Sequence, residues 1–216
     1  MTFRRKLLLA MTGAVLVAGC ARDGELVVDQ GVGITAVRSA CPAVGVPDYT
    51  GDVTQFRSAG SSTADNIDVT AAITNLRTSC NDSGARVYSE ASFDVLARRT
   101  DTRGARRVEL PYFATVLRGG TAVQTKRVGT VVIDFADGQE RARASAKAGA
   151  FVDRAEASLP ADIRERITRK RKAGDPDAAL DPLADPQVRA ALTRATFELL
   201  VGFQLTEQQL AYNATR

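Results

Sequence analysis

Between Ile67 and Ala148 the apolar residues of this 216-residue chain fall on every second position in one segment after another, and turn residues separate the segments. Successive side chains of an extended strand point to opposite faces, so a period of two demands half-buried strands. Ile67, Val69, Ala71 and Ile73 alternate with polar or small positions, and Asn81-Asp82-Ser83-Gly84 supplies a turn. A second strand sets Val87, Ala91, Phe93, Val95 and Ala97 against Glu90, Ser92, Asp94 and Arg98. After a polar break at 100–104, residues 108–117 read as strand, and Pro111, which has no amide donor, must sit there at an edge or bulge. Gly119-Gly120 is a tight turn into a strand over 122–135, and Asp137-Gly138 turns the chain again. Residues 141–148 alternate strictly, with an alanine on every second position. That face is small enough to pack close on a sheet, although alanine also favours helix.

Five or six antiparallel strands with short turns and no intervening helices predict a mainly β protein. The architecture expected is an antiparallel sandwich similar to immunoglobulin or fibronectin modules, over residues 32–152. Residues 43–62, with Pro47-Asp48 and Gly60-Ser61-Ser62, read as loop. A helical extension over 153–216 follows, packed on the sandwich. The period changes at Leu159-Pro160-Ala161, with Ile163 and Ile167 on one helical face and Gly174 as the stop. This helix would end in Arg166, Arg169, Lys170, Arg171 and Lys172, either a contact for anionic headgroups or a solvated, salt-bridged face. Asp175, Asp177, Asp181 and Asp185 lack the glycine and terminal glutamate of a calcium loop and read as caps and turns. Asp185-Pro186 opens a helix running to about Phe203, with the stripe Val188, Leu192, Ala195, Leu199 and Phe203. Thr206 with Gln209 forms a capping box for a last short helix.

The amino terminus carries a different message. Arg4, Arg5 and Lys6 precede 13 mostly apolar residues, 7–19. A helix of that length reaches about 20 Å against a hydrocarbon core of about 30 Å, so the segment is an export signal rather than a span. Val17-Ala18-Gly19-Cys20 resembles the lipobox of bacterial lipoproteins. The resemblance implies a signal peptide at 1–19, cleavage between Gly19 and Cys20, diacylglycerol on the Cys20 thiol and an acylated amine. Two or more chains make such an anchor effectively permanent. Residues 20–31 then form a short tether, and Ala21 after the cysteine favours the outer membrane over the inner. The implied location is the bacterial cell envelope, facing the periplasm.

Removing the signal leaves 26 basic against 25 acidic residues, unevenly placed, with a basic stretch at 86–174 between acidic ends. The compartment argues against nucleic acid as a partner. With Cys20 acylated, Cys41 and Cys80 remain as a pair in an oxidising compartment, and their bond would close a 40-residue loop worth about 4 kcal/mol. Two cysteines without a histidine make a poor metal site, and no cofactor is implied. The chain has no histidine at all, which removes the usual general base and the Ser-His and Cys-His pairs. The expected function is therefore a non-enzymatic, membrane-held interaction or structural module for an envelope protein or cell-wall polymer. Its rivals are a carrier or sensor of a small apolar ligand and a carboxylate hydrolase of cell-wall sugars.

Overall fold

The computed structural model describes residues 36, 38–58 and 60–215. The expected signal, the Gly19–Cys20 cleavage site, the acylated Cys20 and the tether to residue 31 lie outside the described residues. By their contacts the described residues divide into two units, one of 36–169 with 181–215 and one that holds Lys170–Leu180.

In the first unit, eight strands form two four-stranded sheets. The strands are β1 (Ala43–Gly45), β2 (Asp52–Phe56), β3 (Ile67–Asn81), β4 (Arg86–Arg99), β5 (Arg106–Arg118), β6 (Ala122–Phe135), β7 (Arg141–Asp153) and β8 (Phe197–Phe203). One sheet runs β1-β8-β5-β6 and the other β2-β3-β4-β7. Every pairing is antiparallel except β1 with β8. Val69, Phe93 and Val95 of one sheet share a single buried core with Leu110, Ile133, Leu199 and Val201 of the other. The mainly β sandwich read from the period of two is thus the observed architecture. The alternation is clearest along β4, where buried residues occupy every second position from Val87 to Arg99. The alanines of β7 lie on this core as the small face that lets the sheets approach.

The chain passes between the sheets twice on this side, from β4 to β5 and from β6 to β7. Arg99, the last residue of β4, is fully buried at that double crossing. Its guanidinium donates to the carbonyls of Gln139 (2.8 Å), Gly104 (2.8 Å), Thr102 (2.7 Å) and Ala136 (2.8 Å). It also lies 5.2 Å from the ring centroid of Phe135. Two carbonyls come from each crossing, so one side chain staples both. Nearby, Asp68 on β3 takes a two-pronged ion pair from Arg106 on β5 (2.7 and 2.6 Å), a second tie between the sheets. This pair, chiefly through its hydrogen bonds and then its charge, holds the Asp68 carboxyl below the usual carboxylate range.

Four expectations change. Residues 43–62 hold β1 and β2 rather than loop alone. The helix expected over 186–203 stops at Ala195, giving α3 (Pro186–Ala195), and Phe197–Phe203 becomes strand β8 between β1 and β5. Phe197, Leu199, Val201 and Phe203 are all buried, an alternation that fits a strand as well as the helical stripe fitted a helix. Gly202 decides the matter: the Thr50 side chain and the Phe113 ring occupy the space a Cβ would need, so this segment is shaped for sheet packing. The basic helix is α2 (Ala161–Thr168), shorter than expected, because Arg169 is already extended and the four consecutive cations from there to Lys172 would crowd a further turn. Pro160 is its N-cap residue instead of its first helical position. Pro111 lies in an interior strand, yet its carbonyl accepts from Gln204 just past the end of β8. Its nitrogen faces the same side, where no ladder partner remains, so the rule against central prolines is kept locally.

Two further helices complete this unit, α1 (Arg154–Ala157) and α4 (Glu207–Thr215). Leu159, Ile163 and Ile167 pack with Val188, Ala191 and Ala195 in a second, smaller core. Asp185 caps α3 through Gln187 N (2.7 Å), and the reciprocal Thr206–Gln209 bonds open α4, both as the sequence predicts.

Replacing Arg99 by Met removes four part-buried bonds to loop carbonyls and should cost on the order of 3 kcal/mol in chemical denaturation. An Arg99→Met protein as stable as the parent would show that the staple is not needed. For Asp68 the sign follows from the lowered carboxyl: its stabilisation is present above about pH 4 and is lost as pH falls through the lower native value. Asp68→Asn should therefore lose stability at neutral pH and narrow its difference from the parent as pH drops below about 4, measured by melting temperature across pH.

Candidate functional site

The register of β2-β3-β4-β7 places two rows of outward side chains across the sheet. Asp52, Ala72, Leu96 and Arg143 are successive partners in one, and Thr54, Thr70, Arg98 and Arg141 in the next. These rows line a groove of about 860 Å³ on the outer face of the sheet. Leu96 is 48% exposed and forms, with Ala72, an apolar floor. The arginines come from the polar side of the same alternation that turns Ala142 and Ala97 inward, so no special local structure is needed to display them.

The charges of the groove are unequal in their freedom. Arg98 pairs with Glu140. Arg141 and Arg143 make no ion pair among the described residues, although the charge of Arg143 also acts on neighbouring Asp94. The nearby carboxylate, Asp94, accepts from Ser145 (2.6 Å) and Asn75 (2.9 Å), and these bonds, Ser145 first, lower its carboxyl below the ordinary range. Further along the face, Glu90 is lowered by Lys147 and then Tyr88. Asp52 is the one carboxylate among the described residues that lines the groove. Asp65, Asp68, Glu90, Asp94, Asp101 and Asp185 are all lowered, each chiefly by a hydrogen bond.

The groove's edge is positioned by the carboxy terminus. Asn213 of α4 is buried, and its side-chain amide donates to the carbonyls of Tyr49 and Asp52, both at 2.8 Å. Tyr49 holds a positive φ of 63°, unusual for a bulky residue, and the Asn213 bonds stabilise that turn into β2. The Tyr212 and Phe56 rings meet edge to face at 5.2 Å and add to the same docking.

The residues singled out from sequence are distributed differently. Cys41 and Cys80 form the expected disulfide, with Cα atoms 6.1 Å apart. Arg166 on α2 pairs with Asp185 (2.7 Å), the same carboxylate that caps α3, and Arg169 closes α2 through its backbone. Lys170, Arg171 and Lys172 belong to the segment Lys170–Leu180, where Arg171 donates to Asp177 (3.1 Å) and the Lys172 amide to Asp175 (2.9 Å). The five cations therefore do not form one helical face. Asp181 caps the short turn Pro182–Ala184 through Leu183 N, in line with the caps-and-turns reading. Among the described residues no cluster of three metal-ligating side chains occurs, and no helix is long and apolar enough to cross a membrane. Leu96, Arg141 and Arg143 were not singled out from sequence. Their signal was the alternation itself, which assigns them to the outer face but not to neighbouring rows. No protein-family model matches the chain, and neither curated proteins nor solved structures yield a match to it.

Asn213→Ala deletes both bonds to the turn and should destabilise by about 1–3 kcal/mol. Hydrogen exchange should quicken at residues 47–52 while the β4 amides keep their protection. Equal exchange in the variant and the parent at 47–52 would remove Asn213 from this role.

Proposed function

We propose that the chain is a membrane-anchored, non-enzymatic interaction module of the bacterial cell envelope, whose outer-sheet groove holds an acidic, partly apolar segment of a partner protein. The observation that carries the reading is the apolar floor of Leu96 and Ala72 bordered by Arg141 and Arg143, two cations without an ion pair among the described residues. An apolar floor favours burial, at about 25 cal/mol per Å², while the arginines select carboxylates by geometry and charge. The anchor rests on Arg4-Arg5-Lys6, the short apolar run and the lipobox residues Val17-Ala18-Gly19-Cys20. It would face the periplasm, with the outer membrane favoured by Ala21.

The rival functions draw less support from the geometry. A sugar hydrolase needs two carboxyls across a cleft, one of them raised, and the groove offers Asp52 alone among the described residues. A carrier of a small apolar ligand needs an enclosed space, whereas this groove lies on the outside of a sheet and has arginines at its border.

The test is in-cell photo-crosslinking of the full-length protein with a photoreactive residue at Leu96, beside the same residue at exposed Val123. The reading expects one protein captured from position 96 and not from 123, its crosslinked peptide rich in Asp or Glu. Capture should be lost in Arg141→Glu/Arg143→Glu and in Cys20→Ser. Capture of a basic or uncharged segment, capture indifferent to charge reversal, or no protein captured from an abundant, anchored chain would each overturn it.

A further inference from the structure

A second cavity, of about 270 Å³, lies on a different part of the same unit and shares no lining residue with the groove. Its walls carry Arg38, Arg154 and Arg164, the hydroxyls of Ser39 and Ser158, and one carboxylate, Asp82, over a buried apolar base of Leu159 and Ile167. The three arginines arrive from separate places: the irregular segment before Cys41, the first residue of α1, and the middle of α2. The Arg154 guanidinium makes no hydrogen bond or ion pair among the described residues. Arg164 uses one nitrogen on the Leu159 carbonyl (3.0 Å), and Arg38 one on the Thr196 hydroxyl. The remaining guanidinium donors of the three have no protein acceptor among the described residues, and the net formal charge of the lining is positive.

The cavity is also braced. Cys41 follows the wall residues Arg38, Ser39 and Ala40 directly, and Cys80 stands two residues before Asp82. The disulfide therefore ties the amino-terminal wall to the turn between β3 and β4. The Cys41 amide donates to the Ser39 hydroxyl oxygen (3.1 Å), and the Ala36 amide to the Ile167 carbonyl (2.9 Å), so the same segment is fastened to α2. A cross-link that spans 39 residues thus fixes the relative position of two walls that carry opposite charges.

We propose that this disulfide-braced cavity binds a phosphate ester, with Arg154 and Arg164 as the principal contacts and Arg38, which also donates to Thr196 outside the lining, as a third cation of the wall. Planar guanidinium forks match the oxygens of phosphate in pairs, and hydroxyl donors take what remains. A volume of about 270 Å³ suits a phosphorylated small molecule or the headgroup of a lipid, while a whole lipid would need more. Phosphate monoesters in solution and the phosphoglycerol headgroup of an anionic lipid share this chemistry. The inference stands apart from the groove's function, since the two sites use different arginines.

The experiment is calorimetric titration of the full-length protein in detergent with inorganic phosphate and with glycerol 3-phosphate, at low and at physiological salt. Vesicle flotation of the Cys20→Ser full-length chain runs beside it, with phosphatidylglycerol against phosphatidylcholine. Saturable binding of glycerol 3-phosphate is expected, weakened about tenfold or more in Arg154→Ala/Arg164→Ala and tightened in Asp82→Asn. Arg141→Ala/Arg143→Ala should bind as the parent does, which separates this site from the groove. Cys41→Ser/Cys80→Ser should weaken binding if its melting curve shows it folded, and Arg38→Ala supplies a milder variant in case it is not. Flotation with phosphatidylglycerol that depends on Arg154 and Arg164 assigns the headgroup as source, and titration without flotation assigns the soluble ester. No saturable binding of either small probe and no arginine-dependent flotation, or binding unchanged by the arginine pair, overturns the proposal.

Discussion

A single buried guanidinium sets the geometry on which the sandwich depends. Arg99 brings a full positive charge into the interior and meets it with four carbonyl oxygens and the face of Phe135, with no carboxylate partner among the described residues. Carbonyl dipoles spread the compensation over two loops, so the charge is satisfied only when both crossings between the sheets are in place. The surrounding bonds share this logic: Asp137 accepts from the Gly104 amide (2.6 Å), and Gln139 accepts from the Ala136 amide (2.8 Å). An uncompensated charge there would be far more costly than a lost contact, which makes the crossings cooperative rather than independent.

With that end closed, the faces of the sheets are free to differ. The inner face of β7 is alanine and permits close approach, and two tyrosines sit where backbone lacks side chains. Tyr112 lies over Gly129 of β6, and Tyr88 over Gly149 of β7, each ring filling the space that a Cβ would take. Tyr112 also donates to the Lys147 carbonyl (2.9 Å), joining strands of the two sheets. The outer face is left to charges and short apolar rows, which is how a groove arises without a loop insertion. Long regular strands thus serve as a display surface as well as a scaffold.

The two proposed sites differ in how they are held. The groove is written on strand register and is as rigid as the sheet, with only its β2 edge dependent on α4 through Asn213. The arginine cavity is assembled from an amino-terminal segment, a turn and two short helices, elements that little hydrogen-bonded ladder unites. It relies on the Cys41–Cys80 cross-link and on the small core of Leu159, Ile163 and Ile167. Oxidation state would therefore matter to the cavity and hardly to the groove.

Periodicity alone carried much of the fold. The alternation in 67–148 identified the long strands and which residues face inward, because a strand's faces follow from backbone geometry without reference to neighbours. Local hydrogen-bond chemistry likewise announced the Asp185 and Thr206 caps, and the count of cysteines announced their pairing. The same alternation places Arg99 on the inward side after Val95 and Ala97, yet nothing nearby shows what could receive its charge, since its acceptors lie up to 40 residues away. Phe197–Phe203 satisfied both periods, and only an open place between β1 and β5, with Thr50 filling the gap at Gly202, made it a strand. The two proposed surfaces belong to the same class. Sequence determined that Arg141, Arg143, Arg154 and Arg164 exist, and for the first two that they face away from the core. Which of them share a groove or a cavity was decided by register and by the disulfide, because proximity across strands is a long-range property that no local pattern encodes.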